Sequence, residues 1–310
     1  MTQAQPDAAP TADCCAIGVD VGGTKIAAGL VSFPDGRVLT RLETPTRPER
    51  GGEAVLQEVE RLVGELFATA HSAGPAPAAI GLGLCEIVRP DGTIASAQTI
   101  AWLDLPVLER LGRFAPTRIE ADVRAAARAE ARFGAGHGAR LFLYVTIGTG
   151  IASCVVIDGN PLAGAHGATG TMASGPMPHR SGRGGEPAPS LESIASGPAL
   201  VRRFNARGGD AASGRDVIAA ADSGNAQARD IVTSAGAEAG SAIGALVNVL
   251  DPERVVLGGG LGLTEGRYRD ALVAAMREHI WWPGHRDVPL VSAATGADAG
   301  IIGAAAAGIG

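Results

Sequence analysis

Apolar residues run along this chain in short dense blocks separated by glycine-rich breaks, and block length distinguishes strands from helices. Ala16 to Asp20 has the length of a buried strand, Val21 to Thr24 is a break, Lys25 to Ser32 is a second strand, and Pro34-Asp35-Gly36 is a tight turn into a third. The order then returns: Leu141 to Ile147 reads as a buried strand, Gly148-Thr149-Gly150 as a turn, Ile151 to Ile157 as a strand, and Asp158-Gly159-Asn160 as another turn. Helical spacing of apolar positions covers Glu53 to Ala70, Leu200 to Ala206, Asp216 to Asp222 and Ala226 to Leu250. Strands followed by helices, twice, predict an α/β protein of two related lobes. Ligands favour the interface between such lobes, so the expected site is an interlobe cleft. Arg180 to Pro189, "RSGRGGEPAP", reads as a connecting loop.

Composition narrows the function classes. With 310 residues, 46% hydrophobic and 19% charged, the chain has ample apolar surface to bury and favours two lobes over one core. A net charge of −6, no block of lysines or arginines and few aromatic residues exclude an electrostatic footprint for nucleic acid. The start, MTQAQPDAAPTA, lacks a secretory pattern, and no stretch approaches the ~20 apolar residues of a membrane span, so a soluble cytoplasmic protein is expected. Cys14, Cys15, Cys85 and Cys154 lie in apolar, strand-like surroundings without metal-ligand spacing and are expected as buried free thiols.

Paired glycines let backbone N–H groups approach an anion, and a neighbouring threonine adds a hydroxyl donor. Gly22-Gly23-Thr24 and Gly148-Thr149-Gly150 both have this chemistry, and their equivalent places in a duplication favour phosphate binding over simple hairpin closure. GxxxxGK[ST] is absent, and the first turn leads into a strand where a dinucleotide-binding GxGxxG would open a helix. A third cluster, "RVVLGGGLG" from Arg254 to Gly262, is either a floor for a base or ribose or an ordinary strand-to-helix turn. Asp122 precedes an alanine-rich helix, where an N-cap role worth ~1 kcal/mol is the alternative to catalysis.

Together, "VDVGGTK", "VTIGTG", "NVLDPERVVLGGG" and "GADAGIIGAAAAG" resemble the ROK family of sugar kinases and related repressors, within the hexokinase, actin and heat-shock ATPase superfamily. The resemblance runs from about Ala16 to the C-terminus. It implies two lobes of the ribonuclease H-like ATPase fold, with a tail over 1–15, an N-terminal lobe over 16–122 and a C-terminal lobe over 123–310 whose last helix can pack back on the first lobe. It implies ATP contacts at Asp20, Gly22, Gly23, Thr24, Lys25, Thr146, Gly148, Thr149 and Gly150, an adenosine pocket at Gly258, Gly259 and Gly260, and Asp20 near Mg²⁺ and phosphates. Repressors of the family carry a DNA-binding region ahead of the first strand; fifteen residues precede Ala16 here, which favours the kinase branch.

"IEADVRAAARAEARFGAG" resembles the family's catalytic segment E-N-D-x-N-A-A-A-x-x-E, which makes Asp122 the base that takes the proton of the attacking sugar hydroxyl. Two asparagines of that segment are Ala121 and Arg124 here. Where the family reads G-x-x-G-x-A-G-E-x-G-H, "GAHGATGTMAS" has Thr171 for the sugar-binding glutamate and Ser174 for a histidine that also ligates zinc. The remaining zinc cysteines align with Arg183, Gly185 and Ser190, so no structural zinc is expected, and His166 and His179 are expected as loop histidines. Glu192 matches a sugar-binding glutamate, with a helix-dipole role as the alternative. Glu86 and Thr99 stand where the family has glycine and asparagine, while Trp102 matches its place.

Implied, then, is an ATP-dependent, Mg²⁺-requiring kinase of a sugar or sugar-derivative hydroxyl, with Asp122, Glu86, Thr99, Thr171, Ser174 and Glu192 around the substrate. The altered contacts point to a changed sugar preference, an aminosugar among the candidates. A catalytically weak sensor of the same fold is the alternative; a dehydrogenase using "GGGLGL" lacks its motif context. Family members are frequently dimers, which leaves a homodimer open, and "IWWP" at Ile280 to Pro283 is expected in the core, with an interface as the second choice.

Overall fold

The computed structural model describes residues 14–73, 76–177 and 188–310. In chain order the elements are β1 (Cys14–Val21), β2 (Lys25–Phe33), β3 (Arg37–Pro45), α1 (Gly52–Ala73), β4 (Ile80–Leu84), α2 (Val107–Gly112), β5 (Thr117–Ala121), α3 (Asp122–Phe133), β6 (Leu141–Ile147), β7 (Ile151–Ile157) and β8 (Asn160–Pro161). They continue with α4 (Leu191–Ala195), α5 (Gly197–Asn205), α6 (Gly214–Asp222), α7 (Ala226–Leu250), β9 (Arg254–Gly258), α8 (Arg267–His279), β10 (Leu290–Ser292) and α9 (Ala299–Ile309). Two five-stranded sheets result, ordered β3-β2-β1-β4-β5 and β10-β9-β6-β7-β8.

The chain divides into two compact units, one of residues 1–140, 156–169 and 294–310, the other of 141–155 and 170–293. This differs from a boundary at Asp122. Helix α3 stays with the first unit because its alanine face meets α9, whose residues belong to that unit. Leu200 to Ala206 also shifts: the helix begins at Gly197, because the Ser196 hydroxyl accepts from the Ala199 N–H and Pro198 suits the first turn.

In the first unit β1, β2 and β3 form an antiparallel meander, while β4 and β5 lie parallel to β1. Strand β4, "IGLGL", is buried at all five positions, as a central parallel strand covered on both faces must be. On one side lie Val55, Leu56, Val59, Leu62, Val63 and Leu66 of α1, each fully or almost fully buried. Each such side chain contributes roughly 1.5–3 kcal/mol of burial. The other side is covered by α9, built of small residues so that it can lie close: a Cβ at Gly81 would sit 1.6 Å from the Ala304 carbonyl oxygen.

In the second unit β6, β9 and β10 are parallel. The buried face of α7, including Ile231, Val232, Ile243 and Val247, joins Leu143, Val145, Val255 and Leu257 in one core. Ile280 is buried, but Trp281 and Trp282 are 83% and 59% exposed, against the expectation of core packing. Of the cysteines only Cys154 is fully buried; Cys14, Cys15 and Cys85 are partly exposed, and none of the four forms a disulfide. Among the described residues no helix is long and apolar enough to cross a membrane.

Candidate functional site

In the first unit the chemistry gathers where β1, β4 and β5 end. Their parallel register sets Asp20 beside Gly83, and Leu84 beside Ala121, so the residues after the strand ends, Cys85 and Asp122, emerge side by side. Asp122 is the first residue of α3 and not its cap: Ala121 holds the N-cap position and has no side-chain bond to the helix. The Asp122 carboxylate accepts from the N–H of Val123 at 2.6 Å. Burial, then the charges of Asp20 and Glu86, push its pKa up to about 7, against the Val123 amide and the Arg124 guanidinium. Burial also raises Asp20 to about 6, with the Lys25 ammonium opposing. Burial drives the Cys85 thiol up to about 12, helped by Asp122, Glu86 and Asp20, so it is neutral at physiological pH.

The first glycine turn follows β1 directly. Its Gly22 N–H donates to the Lys25 carbonyl at 3.0 Å, and the buried Thr46 hydroxyl donates to the Gly22 carbonyl at 2.6 Å. Thr46 escaped the sequence reading because it stands after β3, far from any motif. Thr24 and Lys25 are exposed, and the Lys25 ammonium pairs with Glu43 at 3.1 Å.

Glu86, expected at the substrate, and Arg124, which stands where the family has an asparagine, are both spent internally. Glu86, 7% exposed, accepts from the Ser96 hydroxyl and from the N–H groups of Gln98, Thr99 and Ile100. Burial works to raise its pKa, but these donors outweigh it and hold the carboxyl below the ordinary value. Arg124, 2% exposed, donates to the Val88 carbonyl at 2.6 Å and the Gly167 carbonyl at 3.0 Å, and pairs with Glu120. Thr99 is exposed, and its methyl would meet a Cβ on Gly23 at 3.0 Å, so it sits on the first glycine turn.

In the second unit Gly148, Thr149 and Gly150 link β6 to β7, and the Gly148 N–H donates to the Gly150 carbonyl at 2.8 Å. Thr146 is partly exposed at the end of β6, and Thr149 is exposed. The third cluster lies against this turn: a Cβ on Gly148 would be 3.7 Å from the Gly260 nitrogen, and one on Gly259, at φ 80°, would be 2.4 Å from the Ile147 carbonyl oxygen. Gly258 leaves room for the Tyr144 hydroxyl. Glu192 sits behind the same turn, accepting from the Ile151 N–H at 2.9 Å, so its carboxylate braces the turn. Thr171 and Ser174 are exposed ends of one turn, closed by the Ser174 N–H on the Thr171 carbonyl.

For zinc, Ser190 caps α4 by accepting from Ser193, His166 is exposed, and Arg183, Gly185, His179 and most of the Arg180 to Pro189 loop lie outside the described residues. Among the described residues no group of three or more His, Cys, Asp or Glu side chains is placed to hold a metal. Magnesium asks for less, since one carboxylate with phosphate oxygens and water completes its octahedron. Asp20, a hard oxygen donor in a buried setting that disfavours its charge, fits that demand.

The ROK family profile matches residues 16–308. This chain belongs to the ROK family. It is 29% identical to a glucokinase of Halalkalibacterium halodurans over 93% of this chain and 92% of that protein. An N-acetylmannosamine kinase of Salmonella heidelberg is 30% identical over 93% of this chain and 96% of its own length. The ROK hexokinase of Thermus thermophilus superposes with a TM-score of 0.79 at 32% identity, covering 95% of this chain and 98% of that one. A ROK glucokinase of Streptomyces griseus, solved in complex with glucose and AMPPNP, gives 0.76 at 28% identity over 95% and 99%.

Proposed function

We propose that this ROK protein is an ATP-dependent carbohydrate kinase in which Asp122 is the general base. The observation that carries the reading is the placement of Asp122: it opens α3 at the ends of β1, β4 and β5, with its carboxyl raised to about 7, poised to take a proton near neutral pH. Asp122 takes the proton of the acceptor hydroxyl as that oxygen bonds to the γ-phosphorus; the bond from phosphorus to the bridging oxygen breaks and ADP leaves. The turns at Gly22 to Thr24 and Gly148 to Gly150 supply amides to phosphates, and Gly258 to Gly260 border the nucleoside. Asp20 is the residue that would hold Mg²⁺, which when bound would neutralise charge on the phosphates.

The acceptor is a hexose or hexose derivative. The relatives named glucokinase and N-acetylmannosamine kinase support that class, and the internal use of Glu86 and Arg124 supports a preference away from plain glucose. The deciding experiment is ADP release from Mg·ATP across hexoses, aminosugars and N-acylated aminosugars, with Asp122→Asn as control. Turnover of one acceptor that the variant loses supports the proposal. Silence across the panel with intact ATP binding replaces it with a sensor of the same fold.

A further inference from the structure

We infer that Glu86 is a positioning residue that holds the 96–100 loop in the shape that meets the acceptor; the inference rests on the kinase reading above. Between β4 and α2 the chain forms no helix or named strand, yet it is tied at both ends. Glu86 Oε2 accepts from the Ser96 hydroxyl and from the Gln98 N–H at 3.0 Å, and Oε1 from the N–H groups of Thr99 and Ile100 at 2.5 and 2.8 Å. The Ser96 hydroxyl in turn accepts from the Ile87 N–H at 2.9 Å, closing the loop on itself. At the far end Ile100 and Trp102 are buried, and the indole N–H donates to the Gly52 carbonyl at 2.8 Å. Between these anchors Gln98 and Thr99 face outward, and the Thr99 methyl stands against Gly23 of the first glycine turn.

The arrangement is electrostatically costly. A third carboxylate is buried near Asp20 and Asp122, and its charge works against ionisation of Asp122. A buried charge persists where its donors need it, and three consecutive main-chain N–H groups of an irregular segment are such donors. One side chain thus links the geometry of the loop to the end of β4, two positions past Leu84 and next to Cys85. An acceptor hydroxyl within reach of Asp122 then meets a loop whose outward residues are already ordered, at no ordering cost on binding.

The test uses the full chain with Glu86→Gln, whose single acceptor oxygen cannot serve four donors, and Ser96→Ala, which removes one donor and guards against a folding failure of the first. Amide hydrogen exchange is read at Gln98, Thr99 and Ile100, and KM is measured for MgATP and for the acceptor found by the panel. Expected are exchange at least ten-fold faster at those three amides, and a KM for the acceptor at least ten-fold higher in Glu86→Gln with that for MgATP within two-fold; Ser96→Ala shifts both readouts the same way by less. Unchanged exchange overturns the clamp, and faster exchange with an unchanged acceptor KM, or with both KM values raised alike, overturns the link to the acceptor. Failure of the kinase reading is seen separately, as absence of turnover by the unaltered protein.

Discussion

The carboxylate of Asp20 lies so close to Gly300 that a Cβ at that glycine would stand 2.4 Å from Oδ2. One residue is the second-last of β1 and the other the second of α9, 280 positions along the chain, so the C-terminal helix shapes the space around an acid that the N-terminal strand carries. Gly300→Ala is therefore expected to displace Asp20. Glycine to alanine within a helix normally stabilises by about 0.5–1 kcal/mol, so a lowered Tm marks the clash. Turnover should fall on the order of 10²-fold, with a higher Mg²⁺ requirement, as expected of a misplaced group. Normal Mg²⁺ dependence in this variant would count against Asp20 as the metal's holder.

Asp122→Asn should lower kcat by roughly 10²–10⁴-fold, the range for a general base, while leaving the Kd for ATP nearly unchanged. Isothermal titration with the nucleotide beside the ADP-release assay separates the two. Parallel loss of ATP binding would point to a broken fold and not to a missing base.

Stability should carry the signature of the raised carboxyls. With folded values near 7 for Asp122 and 6 for Asp20 against 3.8 ordinarily, the folded chain binds more protons than the unfolded chain between about pH 4 and 7. Their contribution is present in full below the unfolded value and is lost as pH rises through the folded ones. Without nucleotide, the parent protein should melt lower at pH 8 than at pH 5.5 relative to Asp122→Asn, which lacks this titration; a difference on the order of 1–3 kcal/mol is expected. An identical pH slope in both proteins refutes the shift.

Catalysis needs the ionised base, so kcat/KM should rise with pH through an acid limb centred near 7, the value for the free protein. A limb below pH 5 would place Asp122 in a far more polar setting than its burial indicates.

Arg124→Met removes the guanidinium that satisfies the Val88 and Gly167 carbonyls and pairs with Glu120. Loss of one partner from such a buried set should cost about 3–5 kcal/mol in urea unfolding. Lysine cannot reproduce the planar fork and should recover less than half of that loss. A near-neutral Arg124→Met would show that the carbonyls find water instead.

Much of the fold was readable locally. Leu141–Ile147, Ile151–Ile157 and Ala226–Leu250 have the bounds that periodicity alone assigns. Both glycine turns fall between strands as expected, because turn chemistry acts within a few residues. Asp122 was found by its motif, and structure replaced the cap reading by showing Ala121 in the cap position. Burial of the Ile280-Trp281-Trp282 run was misjudged for a related reason: hydrophobicity tells which residues can be buried, and only the packing around them tells which are.

By itself, then, the sequence determined the α/β pattern, the two glycine turns, the family and the acid that opens α3, all of which depend on spacing within a few residues or on ordered motifs. Tertiary structure decided what each polar group touches. It spent Glu86 on the 96–100 loop, Arg124 on two carbonyls and Glu192 on the second glycine turn. It also set Gly260 beside Gly148, and returned α9 to the first unit beside Asp20. The reason is physical: a buried charge takes whatever donors or acceptors the fold brings within about 3 Å, and those partners come from segments whose separation along the chain carries no period to read.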